Sequence, residues 1–376
     1  MKLKDIAIYV KDRVEIEKLS LHNYISTENM LPEKGGVQTA SSLPSISMTS
    51  GFRKDDILTS NIRPYFKKIW IANKEGGCSN DVLVLRAKNN CHPKFLYYVL
   101  SENRFFDYST ASAKGTKMPR GDKSAIMEYK VPDHCVPEQI QIADILSSLD
   151  DKIAFNKRIN DNLEKSMSTL FDFYFGLDNS ESNKYKGAFL TDIATFINGL
   201  AMQKFRPKED EKGIPVLKIK ELGQKSCDSS SDICSPSIKS DYIVNDGDVI
   251  FSWSGTLLVD IWSGGKCGLN QHLFKVTSSN YPLWFAYLWT RMHLNNFIRI
   301  SKDKAVTMGH IKRVDLERAE ISIPTDDTMQ KLDKIFTPIF DSCVTIRVEN
   351  RKLSQIRDSL LPKLMSGELK TDDLHR

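Results

Sequence analysis

The sequence predicts a mixed α/β protein of duplicated design, with two domains of helix and strand that are each followed by one long helix. Three observations predict it. In the stretch 137–175, residues suited to a helix–helix seam fall at Ile142, Leu146, Leu149, Ile153, Asn156, Asn160, Leu163, Met167, Leu170 and Tyr174, in alternating steps of four and three. That is the a/d heptad of a coiled-coil helix, a frame from which an ordinary amphipathic helix drifts after a few turns. The same frame returns at Leu332, Phe336, Ile339, Cys343, Ile346, Asn350, Leu353, Arg357, Leu360 and Leu364, with Asn350 at the place of Asn160. The flanks repeat at a nearly constant offset as well. Asp56-Ile57-Leu58 is matched by Asp248-Val249-Ile250, Asn80 by Asn270, Pro93 by Pro282, Met118 by Met308, and Leu3, Asp5 and Ile6 by Leu190, Asp192 and Ile193. The period is far above that of a solenoid, so each copy is a domain plus a helix.

Length and composition agree. A chain of 376 residues has room for two or three domains, and 40% hydrophobic with 9% aromatic residues is enough for packed cores. A formal net charge of +5 is compatible with nucleic acid but turns on how the charge is distributed. The seven cysteines are odd in number and form no C-x-x-C, so reduced thiols are expected and a zinc or disulfide framework is not. The first residues run into charges at Lys11 and Arg13 without a signal-peptide core, and the longest apolar run, 281–289, is far short of a membrane span. A cytoplasmic protein is expected.

In chain order, residues 1–132 form the first domain: a short helix at 4–8, loops to residue 50, a strand entry at Asp56, a strand at 81–86, a helix at 93–107 opened by Pro93, a basic loop at 114–123 and a last short strand at 129–132. Residues 133–176 are the first long helix, stopped by Gly176, and 177–186 a polar linker. Residues 187–324 repeat the domain, with strands at 216–219 and 249–252, a helix at 281–300 and a basic loop at 301–312. Residues 325–370 hold the second long helix and tail. Pro338 lies inside the second heptad run, so that helix is expected to start or kink there, and Pro362 to end its strict part.

No motif for catalysis stands out. There is no phosphate-binding G-x-x-x-x-G-K-[ST], no glycine fingerprint for a dinucleotide or S-adenosylmethionine, no Asn-Pro-Pro-aromatic motif and no zinc-spaced histidine pair. Asp315, Glu317 and Arg318 could be imagined as a nuclease cluster, but such groupings arise by chance among 48 acidic and 53 basic residues. Duplication without catalytic motifs points to binding.

The Asp-(Ile/Val)-(Leu/Ile) strands, the run Pro137-Glu-Gln-Ile-Gln-Ile-Ala-Asp-Ile-Leu146 and the ending Leu360-Leu-Pro-Lys-Leu-Met-Ser-Gly-Glu-Leu369, in this order and repetition, resemble the specificity subunit of type I restriction–modification systems. The second copy departs from the pattern, reading Thr328-Met-Gln-Lys-Leu332 where the first has Pro-Glu-Gln-Ile. The resemblance implies an α+β fold of two target-recognition domains and two long helices paired as an antiparallel coiled coil. Each domain would read one half of a bipartite, asymmetric DNA target. The chain itself would be no enzyme and hold no metal or cofactor. Its partners would be double-stranded DNA, two methyltransferase subunits using S-adenosylmethionine on adenine, and, in a full complex, two endonuclease subunits using ATP and magnesium. The alternative is a non-enzymatic coiled-coil scaffold joining two protein-binding domains.

Candidate DNA contacts are the cations and hydroxyls of the two basic loops and the residues after the repeated strands. In the first copy these are Lys114, Thr116, Lys117, Arg120, Lys123, Asn61 and Arg63; in the second, Lys302, Lys304, Thr307, His310, Lys312, Arg313, Ser252, Trp253 and Ser254. Lysine and arginine on short loops suit phosphates, while amides and hydroxyls suit base edges. The aromatic pairs Tyr97/Tyr98 and Trp284/Tyr287 read as core. The expected seam residues are Leu146, Leu149, Ile153, Asn160, Leu163, Ile339, Ile346, Asn350, Leu353 and Leu360. Asn160 and Asn350 should face one another near the middle, and Ile142 should lie by 360–364 rather than by Leu332.

Overall fold

A computed structural model of the chain describes residues 1–176, 185–303 and 309–374. It divides into two compact units, Met1–Asp151 with Ser354–Arg376, and Lys152–Leu353. Both long helices cross from one unit into the other along the chain.

The first unit opens with α1 (Leu3–Ile6), whose turn is fixed by the Lys2 amide donating to the Asp5 carboxylate at 2.7 Å. Eight strands follow: β1 (Ala7–Tyr9), β2 (Arg13–Glu15), β3 (Tyr24–Ile25), β4 (Met48–Phe52), β5 (Ile57–Ser60), β6 (Ile69–Ile71), β7 (Gly76–Cys78) and β8 (Val82–Ala87). They make two sheets, β1-β8-β5-β6, antiparallel throughout, and β2-β4-β7-β3, with β3 parallel to β7. Helices α2 (Pro93–Ser101), α3 (Asn103–Ala111), α4 (Lys123–Met127) and the start of α5 (Val136–Phe175) complete it. One buried cluster joins Ile57 and Leu85 of the sheet, Phe95, Leu96 and Val99 of α2, Phe105 and Phe106 of α3, Ile142, Ala143 and Leu146 of α5, and Leu361, Leu364 and Met365 from the chain's last long helix. The long-helix ends are therefore part of this unit's core.

The second unit repeats this order. It holds β9 (Lys186–Phe189), α6 (Leu190–Ile193), β10 (Thr195–Asn198), β11 (Ile214–Leu217), α7 (Ile219–Gln224), β12 (Ile233–Cys234), β13 (Ile243–Val244), β14 (Val249–Ser252), β15 (Leu258–Ile261), β16 (Cys267–Leu269) and β17 (Leu273–Thr277). Then come α8 (Leu283–Asp303), α9 (Arg313–Glu317), β18 (Glu320–Ile323) and α10 (Asp326–Ser366). Sheet β10-β17-β14-β15 is antiparallel like its counterpart, and β12-β11-β16-β13 again contains one parallel pair, β11 with β16. The core packs Phe251 and Val276 of the sheet against Trp284, Phe285 and Phe297 of α8, Met167 and Phe171 of α5, and Leu332 and Phe336 of α10. Trp284 stacks on Phe336 with ring centroids 4.3 Å apart and donates its indole N–H to Asp333 at 2.8 Å.

The repeated aspartates have a structural reason. Asp56 is buried; it accepts from the Arg53 amide at 2.9 Å and from Arg86 Nε of β8 at 2.7 Å. Asp248 accepts from the Asn245 amide at 2.7 Å and pairs with Lys275 Nζ of β17 at 2.8 Å. The residue before each is left-handed: Asp55 with φ 71 and Gly247 with φ 93. A tight turn into the central strand needs that backbone, which glycine adopts without strain and aspartate tolerates. The motif holds a turn and a neighbouring strand together.

Several expectations need correction. Residues 10–52 are not all loop: β2, β3 and β4 are three of the four strands of a second sheet, and their two to five residues are too short to show a periodicity. The helix expected at 4–8 covers only Leu3–Ile6. That expected at 93–107 is two helices, broken where Glu102 is extended (φ -63, ψ 143). No strand forms at 129–132, where Lys130 makes only an isolated bridge with Lys2. Ile219 starts a helix rather than ending a strand. Pro338 and Pro362 both lie within α10, which begins at Asp326 behind Thr325. Both prolines are exposed, so water can take the carbonyl each leaves without a helical donor.

The expected seam positions are buried or half-buried. Leu146, Ile153 and Asn160 are buried, and Leu149, Leu163, Ile339, Ile346, Asn350, Leu353 and Leu360 are half-buried. The asparagine pairing differs from expectation. In the second unit Asn156 Nδ2 donates to Glu349 at 2.7 Å and Asn350 Nδ2 to the Ile153 carbonyl at 3.3 Å. Asn160 instead turns to Glu164 of its own helix, at 2.6 Å, and no hydrogen bond joins it to Asn350. The register sets Glu164 against Arg347, so Asn160 has a charged acceptor one turn away on its own helix.

Candidate nucleic-acid interface

Each unit gathers its candidate residues at one backbone junction, where a central strand ends, a basic loop returns and a turn closes beside them. In the first unit, β5 ends in Ser60, whose hydroxyl donates to the Ile62 carbonyl at 3.0 Å. The Asn61 amide donates to Asp81 O at 2.8 Å, and Asn61 O accepts from the Gly121 amide at 3.1 Å. Ile62 bridges to Arg120, and the Arg63 amide donates to Pro119 O at 2.8 Å. Lys114 and Arg120 exchange two amide–carbonyl bonds of 2.9 Å, which closes residues 115–119 into a tip.

The second unit uses the same frame. Ser252 Oγ donates to the Ser254 carbonyl at 3.1 Å. The Trp253 amide donates to His272 O at 3.4 Å, and Trp253 O accepts from the Ile311 amide at 3.1 Å. Ser254 bridges to His310, and the Gly255 amide donates to Gly309 O at 3.1 Å. Arg63 (φ 49) and Gly255 (φ 65) are both left-handed, as the turn out of the strand requires.

The side chains on this shared frame differ. In the first unit Arg120 Nε donates to Asp81 at 3.0 Å, Arg63 Nη2 to the Lys117 carbonyl at 3.3 Å, and Lys114 Nζ to Asp122 at 2.7 Å. The Lys114 bond, together with the Ala125 and Ser124 amides, holds the Asp122 carboxyl below the usual carboxylate range. Thr116, Lys117 and Lys123 are exposed, and the two ammonium groups have no ion-pair partner among the described residues. Asn61 is 6% exposed, and its Oδ1 is buried without a hydrogen bond. In the second unit Trp253 lies between two imidazoles, with centroids 5.9 Å from His272 and 6.4 Å from His310, and its indole donates to Asn198 at 3.1 Å. Ser254 Oγ is 3.3 Å from His272 Nδ1.

The structure therefore brings Asn61, Arg63, Lys114, Lys117 and Arg120 together, and Trp253, Ser254 and His310 together. Ser252 is fully buried, so its part is to close the turn. Lys302, Lys312 and Arg313 are exposed on α8, before α9 and at its start. Lys304 and Thr307 lie outside the described residues. Asp315 is taken up capping α9, accepting from the Lys312 amide at 2.8 Å, which removes the imagined nuclease cluster. Asp81, Asn198 and His272 were missed from sequence, although the repeated Asn80 and Asn270 mark the turns that carry two of them. Among the described residues no group of three or more His, Cys, Asp or Glu is arranged to hold a metal, and no helix is long and apolar enough to cross a membrane.

Fold and junctions together define a protein of two α/β units, each carrying one polar junction at the end of a central strand. The chain belongs to the type I restriction modification DNA specificity domain family, whose model matches residues 24–165 and again 183–357. It is 28% identical over 311 residues to the type I restriction enzyme MjaIX specificity subunit of Methanocaldococcus jannaschii, an alignment covering 76% of this chain and 71% of that protein. It is 20% identical to the HindI specificity subunit of Haemophilus influenzae, covering 98% of each. The crystal structure of a type I restriction–modification S subunit from M. genitalium superposes with a TM-score of 0.62 at 16% identity, covering 97% of this chain and 95% of that one. The chain is thus a specificity subunit, the non-catalytic component of a restriction–modification system.

Proposed function

We propose that this chain reads a bipartite, asymmetric DNA target, one half through each recognition domain, and presents that DNA to adenine methyltransferase subunits. The observation that carries the reading is the pair of junctions: one backbone frame occurs twice, with Asn61, Arg63 and Arg120 on one copy and Trp253, Gly255 and His310 on the other. A shared frame gives both domains one docking geometry, and different side chains give each its own bases. Exposed Lys117, Lys123, Lys312 and Arg313 beside the junctions suit phosphates, which set register rather than sequence.

In this reading residues 1–132 and 187–324 are the recognition domains, arisen by duplication. Residues 133–176 and 325–370 form an antiparallel coiled coil, and 177–186 link the copies. A seam from Ile142 to Tyr174 spans roughly 48 Å at about 1.5 Å per residue, enough to set the gap between half-sites in major grooves about 34 Å apart. S-adenosylmethionine belongs to the methyltransferase partners, and ATP and magnesium to endonuclease partners where a system has them. The test is co-expression with the neighbouring methyltransferase and long-read detection of modified bases. One bipartite adenine-methylated motif is expected, and an intact complex that yields none overturns the proposal. A scaffold for two protein partners would bind no DNA sequence preferentially at any salt. A reader with several phosphate contacts loses orders of magnitude in affinity between about 50 and 200 mM salt.

A further inference from the structure

Beside the second unit's junction lies a cleft of about 380 Å³ that none of the candidate residues lines. One wall is the turn Met202–Lys204 with Arg206; the other is Asn270, Gln271 and His272. Both walls are fixed from below. Met202 is buried in a cluster with Val216 and Cys234, and the Phe205 carbonyl accepts from the Ser235 amide at 2.8 Å. On the other side the Asn270 amide donates to Leu217 O at 3.1 Å, and Asn270 Oδ1 accepts from the His272 amide at 3.3 Å. The Leu200 amide donates to Leu269 O at 2.9 Å, and this approach depends on Gly199, where a Cβ would meet the carbonyl oxygens of Leu269 and Asn270. At one end Lys218 is neutralised by Asp232.

Two side chains on this platform have unused hydrogen-bonding capacity. Gln203 and the Arg206 guanidinium are exposed, and neither has a hydrogen-bond partner among the described residues. Gln271 faces them from the other wall, its amide 3.3 Å from the His272 ring nitrogen. His272 in turn touches Trp253 and Ser254, so cleft and junction form one continuous polar surface. Arginine is the bidentate partner of guanine and glutamine that of adenine in the major groove. A rigid mount means that only the side chains, and not the backbone beneath them, have to be ordered when they engage.

We propose that the cleft extends the junction of the second recognition domain as a further base-reading site, with Arg206 and Gln203 as specificity-determining residues and Gln271 and His272 as its opposite edge. The inference rests on the DNA-reading function above. It adds that sequence is read in the second unit from the Met202–Arg206 platform as well as from the junction, while the basic segment at Lys312–Arg313 serves phosphates.

The experiment uses the complete complex with the methyltransferase. The wild-type motif is determined first, then those of Arg206→Ala, Arg206→Lys and Gln203→Ala. Binding is measured to duplexes carrying single base changes in either half. The expected result is discrimination reduced on the order of tenfold to a hundredfold at one or two positions of one half-site, with the other half unchanged. Arg206→Lys keeps the charge and loses the planar fork, so it should relax the same position while leaving the salt dependence as it was. Affinity falling equally on every sequence, with a salt slope lower by about one, would make Arg206 a phosphate contact and overturn the proposal. An unchanged motif in all three variants overturns it as well. Should Arg206→Ala fail to assemble, Arg206→Lys and Gln203→Ala decide the question. A wild-type complex without any motif would instead overturn the DNA-reading function itself.

Discussion

Arg347 offers the sharpest test of how the second unit holds its helices. It is 8% exposed, donates through Nη1 to Asp260 of β15 and to the Ile261 carbonyl, both at 2.7 Å, and pairs through Nη2 with Glu164 of α5. One guanidinium thus ties α10, α5 and the sheet edge together. Replacing it with methionine keeps the bulk and strands two carboxylates. Removing one partner of a buried pair costs about 3–5 kcal/mol. The lower end, ~3 kcal/mol, applies here because Lys225 stays 3.0 Å from Asp260 and Arg291 3.8 Å from Glu164. At about 2–4 °C per kcal/mol for a unit of this size, the unfolding midpoint should fall by roughly 6–12 °C in calorimetry. Burial pushes the Asp260 carboxyl up, but Arg347 and Lys225 outweigh it and hold the group below its ordinary range. A depressed carboxyl pKa stabilises the fold above the unfolded value of about 3.9, and that stability is lost as pH falls through the folded value. The variant should therefore lose most near neutrality and converge on wild type in acid. The triple variant R347M/D260N/E164Q leaves no stranded carboxylate, and the cations it unpairs, Lys225 and Arg291, both reach solvent, so it should recover more than half of the loss. A midpoint within about 2 °C of wild type, or a deficit that persists unchanged into acid, would refute the reasoning.

Other outcomes follow from single contacts. Phe336→Ala removes the ring stacked on Trp284 and should destabilise by about 3–5 kcal/mol, read by denaturant unfolding. Gly199→Ala drives a Cβ into two carbonyl oxygens, so a loss of about 3 kcal/mol is expected together with weaker DNA discrimination in one half-site only. Lys117→Ala and Lys123→Ala should each lower the salt slope of DNA binding by about one and weaken all sequences alike, because both ammonium groups are exposed and neither has an ion-pair partner among the described residues.

The two-domain α/β organisation was legible in the sequence because its strongest signals are local. A heptad frame places Ile142, Leu146, Met167, Leu332 and Phe336 on one helical face whatever lies opposite, and all five are buried. The Asp56 and Asp248 strands, the capping aspartates Asp5 and Asp192, and Pro93 at its helix start act over three or four residues, so they repeat as readable words. The basic loops and the ends of the repeated strands are local signals of the same kind. What stayed hidden depends on partners far along the chain. That Arg120 meets Asp81, that Trp253 sits between His272 and His310, and that Asn156 rather than Asn160 reaches across to α10 is decided when strands pair and helices settle into register. The second sheets were hidden because strands of two to five residues carry no period of their own and exist only through their neighbours. The Gln203–Arg206 cleft was invisible for a related reason. Its two walls lie almost seventy residues apart, and they meet through the close packing of Gly199 and Leu200 on Leu269 and Asn270.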